Sequence, residues 1–118
     1  MPKKFIKSFK YARSGAEHAL RTQRNLWIHI TAALAVVIIA ACYRVSLGEL
    51  AILTAAIFGV IVAEMFNTAI EELVNILSPD HRLEAALAKN VAAGAVLLAA
   101  AGAVVVGCFI FIPRLICI

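Results

Sequence analysis

Apolar residues dominate three stretches of the chain, Leu26 to Tyr43, Leu47 to Ala63 and Val91 to Ile112. Each approaches the roughly 20 residues that a helix needs to cross a bilayer core about 30 Å thick. The first two are short by that measure and are expected to borrow flanking residues at the interface. Ahead of them Phe5, Phe9, Ala12, Ala16 and Ala19 or Leu20 recur at helical spacing, while Lys4, Lys7 and Arg21 are free to meet headgroups. That is the pattern of an amphipathic helix lying on a membrane. Gly15 interrupts it and weakens it, since glycine costs about 1 kcal/mol against alanine in a helix. The expectation is a single all-α membrane domain over residues 1–118, with a surface helix at 1–25 and spans at about 26–43, 47–63 and 91–112.

Two of these helices should outrun their spans. "EMFNTAIEELVNIL" holds good helix formers, and its first breaker is Pro79, so the last turns of the second apolar helix should project into water. The third helix should start near Leu83 and carry Lys89 and Asn90 about two turns in. Further along it Ala95, Ala99, Ala103 and Gly107 repeat every fourth residue, a seam of small side chains that lets helix backbones approach closely in lipid. Three such helices enclose little by themselves. An oligomer is therefore expected, and composition does not separate a dimer from a trimer.

Composition and charge add an orientation. The chain is 64% hydrophobic, with a mean hydropathy of +0.96, well above a soluble globular protein. Lys3, Lys4, Lys7, Lys10, Arg13, Arg21 and Arg24 precede the first span against Glu17 alone, which by the positive-inside tendency puts the N-terminus in the cytoplasm and, after three spans, the C-terminus outside. The net charge of +4 then reads as a membrane-surface asymmetry, and no nucleic-acid partner is expected. No pattern of a cleavable signal peptide is visible. Cys42, Cys108 and Cys117 lack metal-ligand spacing and read as small hydrophobes.

The candidate chemistry lies where the second apolar run acquires polar residues without a break, in "AEMFNTAIEELVN". At 100° per residue Glu64, Asn67, Thr68, Glu71 and Asn75 share about one third of the helix circumference. Glu64 and Glu71 with Asn67 between them suit phosphoryl transfer: one carboxylate takes a proton from a hydroxyl, the other holds a divalent metal on phosphates, and the amide orients. Lys89 offers the cation that a terminal phosphate wants. Plainer readings stand beside these. Glu64 is also where a helix would simply reach water, and Lys89 where a lysine would snorkel. His29 reads as a structural or interfacial histidine, Trp27 as an interface anchor, and His18 and His81 have no zinc-site spacing.

"EMFNTAIEELVN", "AKNVAAGAV", "QRNLWIHI" and "FKYARSG" together resemble the prokaryotic diacylglycerol kinase and undecaprenol kinase family, small integral-membrane lipid kinases, over nearly the whole chain. The resemblance implies a homotrimer of the bacterial cell membrane, with composite sites at the cytoplasmic interface that use Mg2+ and take ATP as phosphate donor. It implies Glu64 as the base for a lipid hydroxyl, assisted by Asn67, and Glu71 as the ligand of a metal bridging the nucleotide phosphates. Lys89 matches a lysine at the nucleotide, and Lys4 and Tyr11 match surface-helix residues that hold ATP. Three amides replace acids of the diacylglycerol kinase pattern: Gln23 at a second metal-binding position, Asn75 after the catalytic helix, and Asn90 beside the lysine. Gln23 and Asn90 are still expected at the nucleotide, Gln23 as a neutral oxygen ligand to metal. "RN" followed by "IHI" and "DHRLEAALAKNVAAGAV" looks closer to the undecaprenol kinases. The expected reaction is thus phosphorylation of undecaprenol, with diacylglycerol as the alternative lipid. A small oligomeric transporter with Glu64 as its coupling carboxylate, or an inactive scaffold, are the readings of another class.

Overall fold

The structure, a computed structural model, describes residues 2–116. Cys117 lies outside them, and Cys42 and Cys108 are free and exposed, as small lipid-facing side chains would be. The described residues form helices α1 (Pro2–Thr22), α2 (Arg24–Cys42), α3 (Leu47–Leu77) and α4 (Leu83–Ile116). The last three are long and apolar enough to cross a membrane. At 1.5 Å per residue, α3 with 31 residues is about 46 Å long and α4 with 34 about 51 Å, so both outrun a hydrocarbon core.

Short breaks separate the helices, and each has a local cause. Gln23 adopts extended backbone between α1 and α2, and the corner is tied by Trp27 Nε1 donating to the Leu20 carbonyl at 2.5 Å and by Thr22 Oγ1 donating to that of His18 at 2.8 Å. The turn from α2 into α3 ends in a capping box: Glu49 N–H donates to Ser46 Oγ at 3.1 Å, and Ser46 N–H donates to Glu49 Oε1 at 3.0 Å. α3 stops at Leu77 because Pro79 brings no donor and disfavours helical backbone at Ser78. In the turn that follows, Arg82 Nε at 3.1 Å and Ser78 Oγ at 3.0 Å both donate to Asp80 and hold its carboxyl below the usual range. Arg44 and His81 take left-handed backbone in the two turns.

One local reading is corrected. α1 runs through Gly15 without a break: nothing lies within 4 Å of where a Cβ would stand, and the exposed helix on either side carries it. α4 outruns its span and continues past Pro113 to Ile116, with the proline in its last turn.

Packing is centred on α3. It lies against α4 along much of its length and against α2 over a shorter stretch, while α2 and α4 make no close backbone approach to each other. At the α2–α3 turn the three helices converge through Ala40, Leu53 and Ile110, with Val36, Ile57 and Val106 around them, and the Tyr43 and Phe111 rings meet edge to face at 6.2 Å. α1 touches only α2 and α3 and buries only Ala19, leaving Phe5, Phe9 and Tyr11 exposed among its lysines. Leu34, Ile38, Phe58, Leu97 and Phe109 are each more than half exposed along the spans. Water would penalise that surface, and lipid or a second copy of the chain would not.

Candidate active site

Where α3 leaves its apolar stretch, three polar side chains are buried: Glu64 at 2% exposure, Asn67 at 8% and Thr68 at 4%. Thr68 donates to the Glu64 carbonyl at 3.0 Å and is thereby satisfied within its helix. Glu64 Oε1 and Asn67 Oδ1 have no hydrogen-bond partner. A buried acceptor left unpaired costs about 1 to 3 kcal/mol, more if charged, and such groups mark places where something else binds. Further along the same face Glu71 is half-buried and Asn75 is exposed. The polar face read from the sequence is thus graded, from fully buried at Glu64 to open at Asn75.

His29 of α2 faces this carboxylate. Its Nε2 lies 3.6 Å from Glu64 Oε2, with the imidazole one quarter exposed. Sequence reasoning reads His29 as structural or interfacial, because its proximity to Glu64 depends on how α2 and α3 align. The "IHI" pattern beside a glutamate on another apolar helix was the one available signal. His29 also closes one end of an apolar cleft of about 270 Å³ with α3 as its floor and α2 and α4 as walls. Ala32, Val36, Val60, Ala103 and Phe111 are among its lining residues, and among the described residues His29 is the only polar side chain there. From Leu53 to Ile61 the floor is about 12 Å long.

The remaining candidates cluster loosely around the same end. Lys89 of α4 is half-buried, donates to Asn75 Oδ1 and lines a small pocket with Val74, Ser78, His81, Ala85 and Ala86. Asn90 beside it is exposed. His18 of α1 meets Glu72 Oε1 at 2.5 Å, which ties the surface helix to α3 one residue beyond Glu71. Gln23 is half-buried and makes no capping bond, while Lys4 and Tyr11 are exposed on α1. Nothing in a single chain joins Lys4 or Tyr11 to Glu64 by a hydrogen bond or ion pair among the described residues.

Among the described residues no three His, Cys, Asp or Glu side chains form a self-contained metal cage. Mg2+ held on phosphates asks for less, one or two carboxylates with phosphate and water completing its shell. Glu71, half-buried and in no ion pair among the described residues, supplies a hard carboxylate donor of that kind, and half-buried Gln23, without a capping bond, a neutral oxygen, so the residues fit such an ion.

The profile of the prokaryotic diacylglycerol kinase family matches residues 10–111. The chain is 38% identical over 112 residues to the undecaprenol kinase of Bacillus subtilis, covering 95% of this chain and 91% of that protein. It is also 38% identical over 110 residues to the diacylglycerol kinase of Synechocystis sp., covering 92% of this chain and 63% of that longer protein, a little under two thirds of its length.

Proposed function

The chain belongs to the prokaryotic diacylglycerol kinase family and is a membrane lipid kinase, and from that premise we propose that it transfers the γ-phosphate of ATP to the hydroxyl of undecaprenol, with Glu64 as general base. The observation that carries this reading is the buried Glu64 carboxylate, one oxygen of which has no partner. A membrane alcohol presents its hydroxyl at headgroup depth, where a hydrophobic helix ending in a carboxylate can meet both the lipid and cytosolic nucleotide. In this reading the reaction runs at the cytoplasmic face, with the N-terminus inside and the C-terminus outside, an orientation supported by the basic residues ahead of the first span. The kinase assignment sets the transporter reading aside.

In the proposed step the lipid hydroxyl donates to Glu64 Oε1. As its oxygen forms a bond to the γ-phosphorus, the carboxylate takes the proton and the bond to the β–γ bridging oxygen breaks, leaving ADP and the phosphorylated lipid. General-base assistance of this kind contributes about 10² to 10⁴ in rate. Asn67, on the same face one turn on, orients the reacting groups. Lys89 stabilises charge on the transferring phosphoryl group. Its partner Asn75 is an amide, which holds the ammonium without cancelling its charge, as an aspartate there would. Glu71 and the neutral oxygen of Gln23 would hold Mg2+, which when bound neutralises charge on the β- and γ-phosphates. Lys4, Tyr11 and Asn90 complete the nucleotide contacts in this reading. The exposed apolar flanks support association with further copies of the chain, and the homotrimer with sites between subunits rests on the family resemblance.

Two features favour undecaprenol over diacylglycerol. The B. subtilis undecaprenol kinase matches over nearly its full length, and the cleft ending at His29 offers no other polar side chain. Diacylglycerol brings two ester groups that need partners, and leaving them without any costs about 1 to 3 kcal/mol each, whereas an isoprenoid tail asks for none. Competition between both lipids in one micelle with γ-labelled ATP and Mg2+ reads the ratio of their kcat/KM values. The expected product is labelled undecaprenyl phosphate. A ratio favouring diacylglycerol reverses the lipid assignment, and label in neither lipid removes both.

A further inference from the structure

Glu64 is held asymmetrically. Its Oε2 lies 3.6 Å from His29 Nε2, while Oε1 is buried with no partner. At that separation the contact is an ion-pair distance rather than a formed hydrogen bond, and a shift of roughly half an ångström closes it. Catalytic hydrogen bonds are often loose in the absence of substrate and tighten when it binds. The imidazole lines the apolar cleft, and among the described residues Glu64 is the ionisable group within reach of its Nε2.

We infer that His29 is a positioning residue for the phosphoryl transfer: it engages Glu64 through Oε2 and so presents Oε1 to the lipid hydroxyl at the mouth of the cleft. The inference rests on the reading of Glu64 as base. His29 does not exchange a proton with substrate. With Nε2 protonated and the ring neutral, it donates to Oε2, fixes the carboxylate rotamer and leaves the charge on Glu64 available to the hydroxyl proton.

The groups around the imidazole leave it to Glu64. Among the described residues Glu64 on α3 is its one ionisable partner. Those that α4 contributes to the cleft, Ala100, Ala103, Val104, Gly107 and Phe111, carry no ionisable group. The cation of α4 near this end, Lys89, is engaged with Asn75, and the histidine of α1, His18, with Glu72.

The test uses the full chain in detergent, with wild type, His29→Phe, His29→Gln and Glu64→Gln assayed at one neutral pH for transfer from γ-labelled ATP to undecaprenol. His29→Phe should lower kcat roughly 10- to 100-fold, the usual effect of removing a group that orients a reacting one, with the KM for ATP unchanged. His29→Gln keeps a donor near the Nε2 position and should restore most of kcat. A histidine that served only packing would be replaced better by phenylalanine than by glutamine, the reverse order. That reverse order, or wild-type kcat in both variants, with Glu64→Gln inactive, overturns the role of His29 and leaves the base in place. A Glu64→Gln variant that keeps more than a tenth of wild-type turnover overturns both. Thermal midpoints of all four proteins identify a variant that fails by unfolding, and kcat of whichever His29 variant stays folded then decides.

Discussion

Glu49 and Glu64 are 15 positions apart on α3, yet they live by opposite rules. Glu49, the more exposed, has every oxygen engaged. It closes the capping box with Ser46 and takes two bonds from Arg114 of α4, Nη1 to Oε2 at 2.6 Å and Nη2 to Oε1 at 2.5 Å. Arg114 Nη1 also donates to the Ile110 carbonyl at 2.8 Å, so one guanidinium fastens the end of α4 to the start of α3. Around them lie the Ala40, Leu53 and Ile110 cluster and the Tyr43–Phe111 pair. Glu64, almost fully buried, has a loose contact to His29 and an oxygen with nothing. One end of the bundle is consistent at every level, and the other leaves burial and bonding in conflict. Conflicts of that kind persist in folded proteins mainly where a ligand resolves them.

If the contrast is functional, substitutions at the two ends should fail differently. The largest effect is expected at Glu64, where glutamine keeps the shape and removes the base: turnover should fall by about 10² to 10⁴ with the thermal midpoint preserved or raised. Glu71→Ala comes next, raising the Mg2+ and ATP requirements together by roughly tenfold to a hundredfold as titrated in the same assay. A change confined to the lipid KM would detach Glu71 from the metal. Lys89→Ala should raise the KM for ATP by about tenfold, the worth of a charge-assisted bond, and Lys89→Arg should not rescue it, since a planar fork does not replace a compact ammonium.

At the other end the expected losses are of stability alone. Glu49→Gln should lower the thermal midpoint in detergent while turnover stays at the wild-type value, because Arg114 loses its charged partner far from the reacting groups. Ser46→Ala, smallest of the series, should cost about 1 kcal/mol through the lost cap and leave kinetics unchanged. A fall in kcat in either variant, without a matching loss of folded protein, would mean that the two ends are coupled.

Helix identities were legible because apolar run length and the breaker Pro79 act locally, whereas the break at Gln23, inside the surface helix expected over 1–25, has no local stop signal. The Glu64, Asn67, Thr68 and Glu71 face was legible too, since all four lie on one helix and its period fixes their common side. What escaped depends on register between helices. No local pattern says that His29 reaches Glu64, that Arg114 reaches Glu49 across 65 positions, or that His18 finds Glu72. Lys89 was placed correctly at the polar end, but its bond to Asn75 needed the α3–α4 turn, where Pro79 and the left-handed His81 redirect the chain. Gly15 misled for the opposite reason. Its cost is small against a helix otherwise favoured on both sides.

The most direct test isolates the chemical step. Wild type and Glu64→Gln, each preloaded with Mg2+ and γ-labelled ATP, are mixed with excess undecaprenol and quenched over a single turnover, with ATP affinity measured separately on the same preparations. With Glu64 as the base, the variant should bind ATP as wild type does and transfer its phosphate about 10² to 10⁴ more slowly. Transfer at more than a tenth of the wild-type rate would contradict that role.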